Sequence, residues 1–196
     1  MYTACLNLEG KKVTIVGGGK IAYRKAMAFC KEECEVHVIA PCFIPEFKAL
    51  GHDVNLIYKY YEEGDCANSF LVVAATNDQK TNYAIGLFCK RANKLCNVVD
   101  NKELSSFIVP STFKRGDLVI AVSTGGASPS LAARIKQELE EKYDASYEEL
   151  IQIHGRLRSK VLEKVADEGE KKKILNHLAM LDIKELKAYE KSYFGC

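Results

Sequence analysis

The chain has 196 residues, 47% of them apolar and 28% charged, enough for one full hydrophobic core and a smaller appendage. Its longest apolar run, Phe70 to Ala75, is strand-sized and too short for a membrane-spanning helix. A net charge of +2 leaves no electrostatic footprint for nucleic acid.

The opening stretch MYTACLNLEGKK puts two lysines where a signal peptide needs an apolar core, so a cytoplasmic protein is expected. Eight cysteines are scattered at 5, 30, 34, 42, 66, 89, 96 and 196 with no C-x-x-C pair, which argues against a zinc ribbon or a redox dithiol. Cys89 and Cys96 lie inside apolar runs, where a thiol acts as a small core residue. No metal site is expected: His37 reads as a packed or edge residue, and His154 and His177 lack metal-ligand spacing.

Apolar, β-branched runs recur at 12–16, 35–40, 54–58, 70–75 and 95–99 and predict five strands. Between the first two, KIAYRKAMAFCKEE (20–33) has helical spacing, with Ala22, Ala26 and Phe29 on one stripe. Before the fifth, QKTNYAIGLFCKRAN (79–93) predicts a helix with Ile85 and Phe88 inward and Tyr83, Leu87 and Lys90 on a mixed face. Strands and helices alternating at this pace predict an α/β fold, a Rossmann-like doubly wound parallel sheet. Beyond it, GDLVIAV and the small-residue turn STGGAS lead into a helix with Pro129 in its first turn and Leu131, Ile135 and Leu139 as an apolar stripe. From Ser146 onward the chain reads as helical, with one break near DEGEKKK; Lys171–Lys173 is a solvated face. Three parts are expected: a dinucleotide-binding domain over 1–113, a small α/β segment over 114–145 and a helical domain over 146–196.

Gly17-Gly18-Gly19-Lys20-Ile21-Ala22 fits G-x-G-x-x-A between a strand and a helix. Gly17 permits the sharp turn, Gly19 lets backbone approach a pyrophosphate, and Ala22 lets the helix pack close to the sheet. The helix start offers N–H groups and partial positive charge to the phosphates. An acid about 20 residues on should hold the ribose, yet the second strand ends HVIAPCF without one, and without an arginine for a 2′-phosphate. Backbone near Pro41 and Cys42 is left for that task, and this strand does not decide NAD from NADP. Ala75, Thr76 and Asn77 end the fourth strand, where open α/β sheets bind ligands; a helix cap at Asn77 or Asp78 is the alternative. Asp100 ends the fifth strand, placed for proton transfer, or else begins a turn with Asn101. Ser123, Thr124, Gly125, Gly126 and Ser128 suit gripping substrate carboxylates. Lys114, Arg115 and Arg134 are further candidates for that, though each also suits a solvated surface.

VGGGKIAYRKA, VVAATND, CNVVDN, FIVPS and STGGASPSLAARIKQELE, in this order between Leu6 and Lys142, resemble the precorrin-2 dehydrogenase family, which includes the N-terminal half of siroheme synthases. The resemblance implies NAD-dependent oxidation of precorrin-2 to sirohydrochlorin on the route to siroheme or cobalamin. It implies a homodimer paired through the strand-turn-helix segment, with Asp100, the aspartate of the family's NVVD motif, implicated in catalysis as general base or orienter, and in chelation where that occurs. Gly17 to Ala22 then correspond to the family's glycine turn, Pro41 and Cys42 to its second strand end, and Thr124 to its S-[ST]-G-G motif. The family often has a second acid after the first; here it is Asn101. Two alternatives go with the resemblance: a second activity as sirohydrochlorin ferro- or cobaltochelatase, and, from another class, a nucleotide-sensing domain without chemistry.

Overall fold

The computed structural model describes residues 2–195, so Met1 and Cys196, the last of the eight cysteines, lie outside the described residues. The chain divides into two compact units, one ending at Ile108 and one beginning at Val109.

The first unit is built on five strands: β1 (Lys12–Val16), β2 (Glu35–Ala40), β3 (Val54–Tyr58), β4 (Leu71–Ala74) and β5 (Leu95–Val98). All pair in parallel in the order β3-β2-β1-β4-β5. A strand buried on both faces needs apolar side chains at every position rather than alternate ones, which is why the central β4 reads as a continuous apolar run, whereas the edge strand β3 exposes Asn55 and Tyr58. Successive side chains of β1 and β4 feed opposite layers. Val13, Ile15, Leu71 and Val73 pack with Ala22 and Ala26 of helix α1 (Lys20–Phe29). Val16, Val72 and Ala74 pack with Ile85 and Cys89 of helix α2 (Gln79–Arg91). Thr14 is fully buried among them, and its hydroxyl is satisfied by Ser69 Oγ at 2.7 Å. The chain runs outward from β1 through β2 to β3, then returns to β4 on the other side of β1. That reversal leaves a crevice at the carboxyl ends of β1 and β4.

Helix α1 ends at Phe29, four residues short of the predicted limit, and Cys30 N–H closes on Ala26 C=O. Glu32 and Glu33 sit unfavourably at a helix carboxyl end, and the chain must turn there to enter β2. In α2, Ile85 is buried as expected and Phe88 is half-buried against the same layer, while Tyr83 and Leu87 are exposed. Gly86 lets α2 sit close to β5 and the loop after it, since a Cβ there would lie 3.1 Å from Val98 Cγ2 and 2.9 Å from Leu104 Cβ.

The second unit opens with an antiparallel hairpin of β6 (Ser111–Arg115) and β7 (Leu118–Val122), covered by α3 (Pro129–Lys142). Strand β6 is not predicted by the sequence because STFKR offers one apolar residue, Phe113, which is also its buried position. Ser128 caps α3 by accepting from Leu131 N–H, and Pro129 occupies the first turn as expected. Of the predicted apolar stripe, Ile135 and Leu139 are half-buried and Leu131 is exposed. Helices α4 (Ser146–Lys164), α5 (Glu168–Leu178) and α6 (Ile183–Phe194) pack around Ile153, Leu157, Val161, Leu178, Leu186 and Phe194. Where one break was predicted there are two. Asp167 caps α5, and Asp182 with Glu185 forms a reciprocal capping box that restarts the chain as α6.

Candidate functional site

The carboxyl ends of β1, β2 and β4 open into a cleft of about 500 Å³. Its floor is the glycine turn, and the three glycines differ in what they serve. Gly17 has φ +134, and a Cβ there would lie 2.2 Å from Ala75 O. A Cβ on Gly18 would lie 2.0 Å from Cys42 O. Both are therefore required by the fold itself, because the backbone of neighbouring strand ends already occupies the space. Gly19 has extended backbone (φ −93, ψ −174), which any residue adopts, and a Cβ there would meet no protein atom within 4 Å. It lines the cleft, so its missing side chain leaves room that the protein does not fill.

Gly19 is also the N-cap of α1, with no side-chain cap and no acid in the first turn. The N–H groups of Lys20, Ile21 and Ala22 have no helical carbonyl four residues back to bond to, and the helix dipole adds partial positive charge beside them. Lys20 and Ile21 themselves point outward and do not line the cleft; Ala22 is buried against β1. What this part of the chain offers a ligand is backbone, in a shape suited to a diphosphate.

Pro41 and Cys42 line the cleft beside Phe43 and Ile44. Ile44 N–H donates to Gly18 C=O at 2.9 Å, clamping this loop over the turn. Phe43 is held by edge contacts with Phe47 and Tyr58, at centroid distances of 5.1 and 4.8 Å. No acid or arginine lines this corner, as the sequence of the second strand end leads one to expect. Tyr60 and Tyr61 form a further wall that the sequence analysis missed, since two tyrosines in the loop after β3 carry no motif. The Tyr61 hydroxyl is buried, and burial, then the neighbouring Cys66 and Cys89 thiols, raises its pKa, so it stays protonated.

Ala75, Thr76 and Asn77 line the opposite wall with Asp78 and Thr81. The helix cap belongs to Asp78, not Asn77: its carboxylate accepts from Lys80 N–H at 3.2 Å, Thr81 N–H at 3.1 Å and Thr81 Oγ1 at 2.6 Å. Those bonds, the Thr81 hydroxyl first, hold the Asp78 carboxyl below the usual aspartate range. Asn77 is thereby left exposed at the cleft.

Asp100 follows β5, and its turn is made by its neighbour. Asn101 N–H donates to Val98 C=O, and Asn101 Oδ1 accepts from Glu103 and Leu104 N–H. The Asp100 carboxylate accepts from Asn82 Nδ2 at 3.1 Å. The side chain is exposed, because β5 ends two residues earlier at Val98. Asn82 in turn bonds Thr76, so Asp100 is linked through one side chain to the cleft wall.

Ser123, Thr124, Gly125, Gly126 and Ser128 form the turn between β7 and α3 in the second unit. Thr124 Oγ1 donates to Ser128 C=O and accepts from Ser128 N–H, both at 3.0 Å. Gly125 N–H donates to Ser123 Oγ, and Gly125 and Gly126 have φ +64 and +86. The hydroxyls thus shape the turn itself. Arg115 donates to the Tyr143 and Glu140 carbonyls and lies over the Phe113 ring, and Arg134 pairs with Glu138. His37 Nδ1 lies 3.4 Å from Asn55 Nδ2. Among the described residues no group of three His, Cys, Asp or Glu side chains is arranged to hold a metal ion, and no helix is long and apolar enough to cross a membrane.

A family model described as putative NAD(P)-binding matches residues 4–111, and one described as sirohaem biosynthesis protein central matches residues 115–142. The precorrin-2 dehydrogenase of Priestia megaterium is 38% identical over 156 residues, which are 78% of this chain and 76% of that one. The siroheme synthase of Nitrosomonas eutropha is 34% identical over 82% of this chain but 34% of its own length. That of Citrobacter koseri is 32% identical over 89% and 39% respectively. The chain therefore spans well under half of these synthases. A solved structure of SirC, precorrin-2 dehydrogenase, superposes with a TM-score of 0.80 at 31% identity, covering 97% of this chain and 98% of that one.

Proposed function

The chain belongs to the family of precorrin-2 dehydrogenases and siroheme synthases, and on that premise we propose that it oxidises precorrin-2 to sirohydrochlorin with NAD⁺, a step toward siroheme or cobalamin. The single observation that carries the reading is Gly19: the protein leaves unfilled the space a side chain would take, at the start of an uncapped helix that faces the cleft. Gly17 to Ala22 and the 75–77 strand end would hold the dinucleotide, with Pro41 and Cys42 at its ribose. When bound, NAD⁺ supplies the two-electron acceptor; the protein supplies orientation.

Oxidation of precorrin-2 removes a hydride and a proton together. Asp100 is the group we assign to the proton: a carboxylate at a strand's carboxyl end, exposed to a substrate and anchored by Asn82. The turn from Ser123 to Ser128 is assigned to the substrate's carboxylates, which the positive end of the α3 dipole favours; its Gly125, Ala127 and Ser128 N–H groups are already bonded within the turn. We further propose a homodimer formed through the segment 114–145. There β7 carries five apolar residues with none fully buried, and Val119 and Leu131 are 42% and 39% exposed. The unpaired thiols from Cys5 to Cys96 suit the reducing cytoplasm.

The test is anaerobic incubation of the purified chain with precorrin-2 and NAD⁺. Sirohydrochlorin and reduced nicotinamide should appear in equal amounts. Binding of NAD⁺ without reduction would contradict the assignment and leave a nucleotide-sensing domain.

A further inference from the structure

Resting on the reading of Asp100 as proton acceptor, we infer that Asn82 is the positioning residue that holds the Asp100 carboxylate in register with the cofactor-side loop. Asn82 lies in the first turn of α2 and is 1% exposed. Its Oδ1 accepts from Thr76 N–H at 3.0 Å and lies 2.8 Å from Thr76 Oγ1. Its Nδ2 donates to Thr76 C=O at 3.1 Å and to Asp100 Oδ2 at 3.1 Å. Every hydrogen-bonding position of the amide is used, as burial demands. The orientation follows from chemistry. Thr76 N–H can only donate, so Oδ1 must face it, and the reverse placement would set Oδ1 against a carbonyl and a carboxylate.

The ordinary structural duties at this point are already discharged by others. Asp78 caps α2, and Ile85 and Cys89 supply its buried apolar face. Asn82 serves instead to join two segments 24 residues apart: three of its bonds go to Thr76, which lines the cleft, and the fourth to an exposed carboxylate that packing does not fix. A ligand that presses on the 75–77 loop therefore acts on the Asp100 carboxylate through one rigid amide.

Substitution tests this role, with NAD⁺ affinity reporting on the Thr76 side. Asn82→Asp keeps the acceptor for Thr76 N–H and Oγ1 but puts a carboxylate oxygen in place of the amide nitrogen that donates to both Thr76 C=O and Asp100. Asn82→Ser reaches neither Asp100 nor its full set of Thr76 bonds. For Asn82→Asp, NAD⁺ affinity by calorimetry should stay within about 3-fold of wild type, while kcat falls by about 10–100-fold near neutral pH, the scale of a misplaced catalytic group. The acid limb of its kcat–pH profile should also move upward by about a unit or more, because two facing carboxylates cannot both stay ionised. A wild-type kcat and profile in Asn82→Asp would overturn the inference. So would a kcat loss that disappears when rates are referred to the NAD⁺-binding fraction. Should Asn82→Asp fail to fold, a wild-type kcat in Asn82→Ser would overturn it equally. An Asp100→Ala variant, run alongside, isolates the reading beneath: wild-type turnover there removes Asp100 as acceptor, whereas an inactive Asp100→Ala with a normal Asn82→Asp removes only the role of Asn82.

Discussion

Three adjacent glycines carry two separate demands, and substitution should tell them apart. Gly17→Ala or Gly18→Ala drives a methyl into the carbonyl oxygen of Ala75 or Cys42, at 2.2 and 2.0 Å. Each should cost about 2–4 kcal/mol of stability, the sum of overpacking and, at Gly17, a positive φ, read as a lower midpoint in chemical denaturation. Asp100→Ala removes nothing that packs but takes one partner from the buried Asn82 amide, so the melting temperature should fall only slightly while kcat drops by about 10²–10⁴-fold, the usual yield of a positioned acid or base. A matching loss of NAD⁺ affinity would place Asp100 in cofactor binding instead. These residues could be picked out in the sequence because each lies at or just past the carboxyl end of a strand, within a short motif. Asn82 could not: it is one polar residue in a polar first turn, and only the fold brings it to both Thr76 and Asp100.

At the level of elements, the helix that carries Asn82 depends on Asp78. Hydrogen bonds from Thr81 and Lys80 favour the ionised carboxylate in the folded state, so its folded-state pKa is depressed. A group of that kind contributes its stabilisation above its unfolded value and loses it as pH falls through the folded one. The stability difference between wild type and Asp78→Ala should therefore be constant near neutrality and shrink as pH drops below the ordinary aspartate value of 3.8. Denaturation series at pH 7 and in the acid range would check this; a difference that persists undiminished in acid would contradict it. Strand β4 was legible because burial on both faces writes itself as an unbroken apolar run, and the other four parallel strands because apolar residues, many of them β-branched, surround their single inner polar positions Thr14, His37, Asn55 and Asn97. Strand β6 was not, since its partner strand and α3, rather than its own composition, make it a strand. The second helix break was encoded, in the Asp182 to Glu185 capping box, but a residue pair of common types is a weak signal beside a long charged helix pattern.

For the molecule as a whole, the account requires that the apolar positions left exposed on β7 and α3 be covered. Leu131→Glu or Val119→Lys should convert a dimer to a monomer in sedimentation velocity, with the helical core around Leu157 and Leu186 unaffected. A wild type that sediments as a monomer would remove the dimer from the reading without touching the cleft. The burial of Tyr61 and the exposure of Asp100 are likewise properties of the assembled unit, set by how far β3 and β5 extend, and no local pattern announced either. The space above Gly19 is the one we assign to a dinucleotide, and calorimetric titration of NAD⁺ into wild type and Gly19→Ala is the decisive experiment. The account predicts equal melting temperatures for the two free proteins and an affinity weaker by about 10-fold or more in the variant, equivalent to about 1.4 kcal/mol. Equal affinities with an intact fold would contradict it.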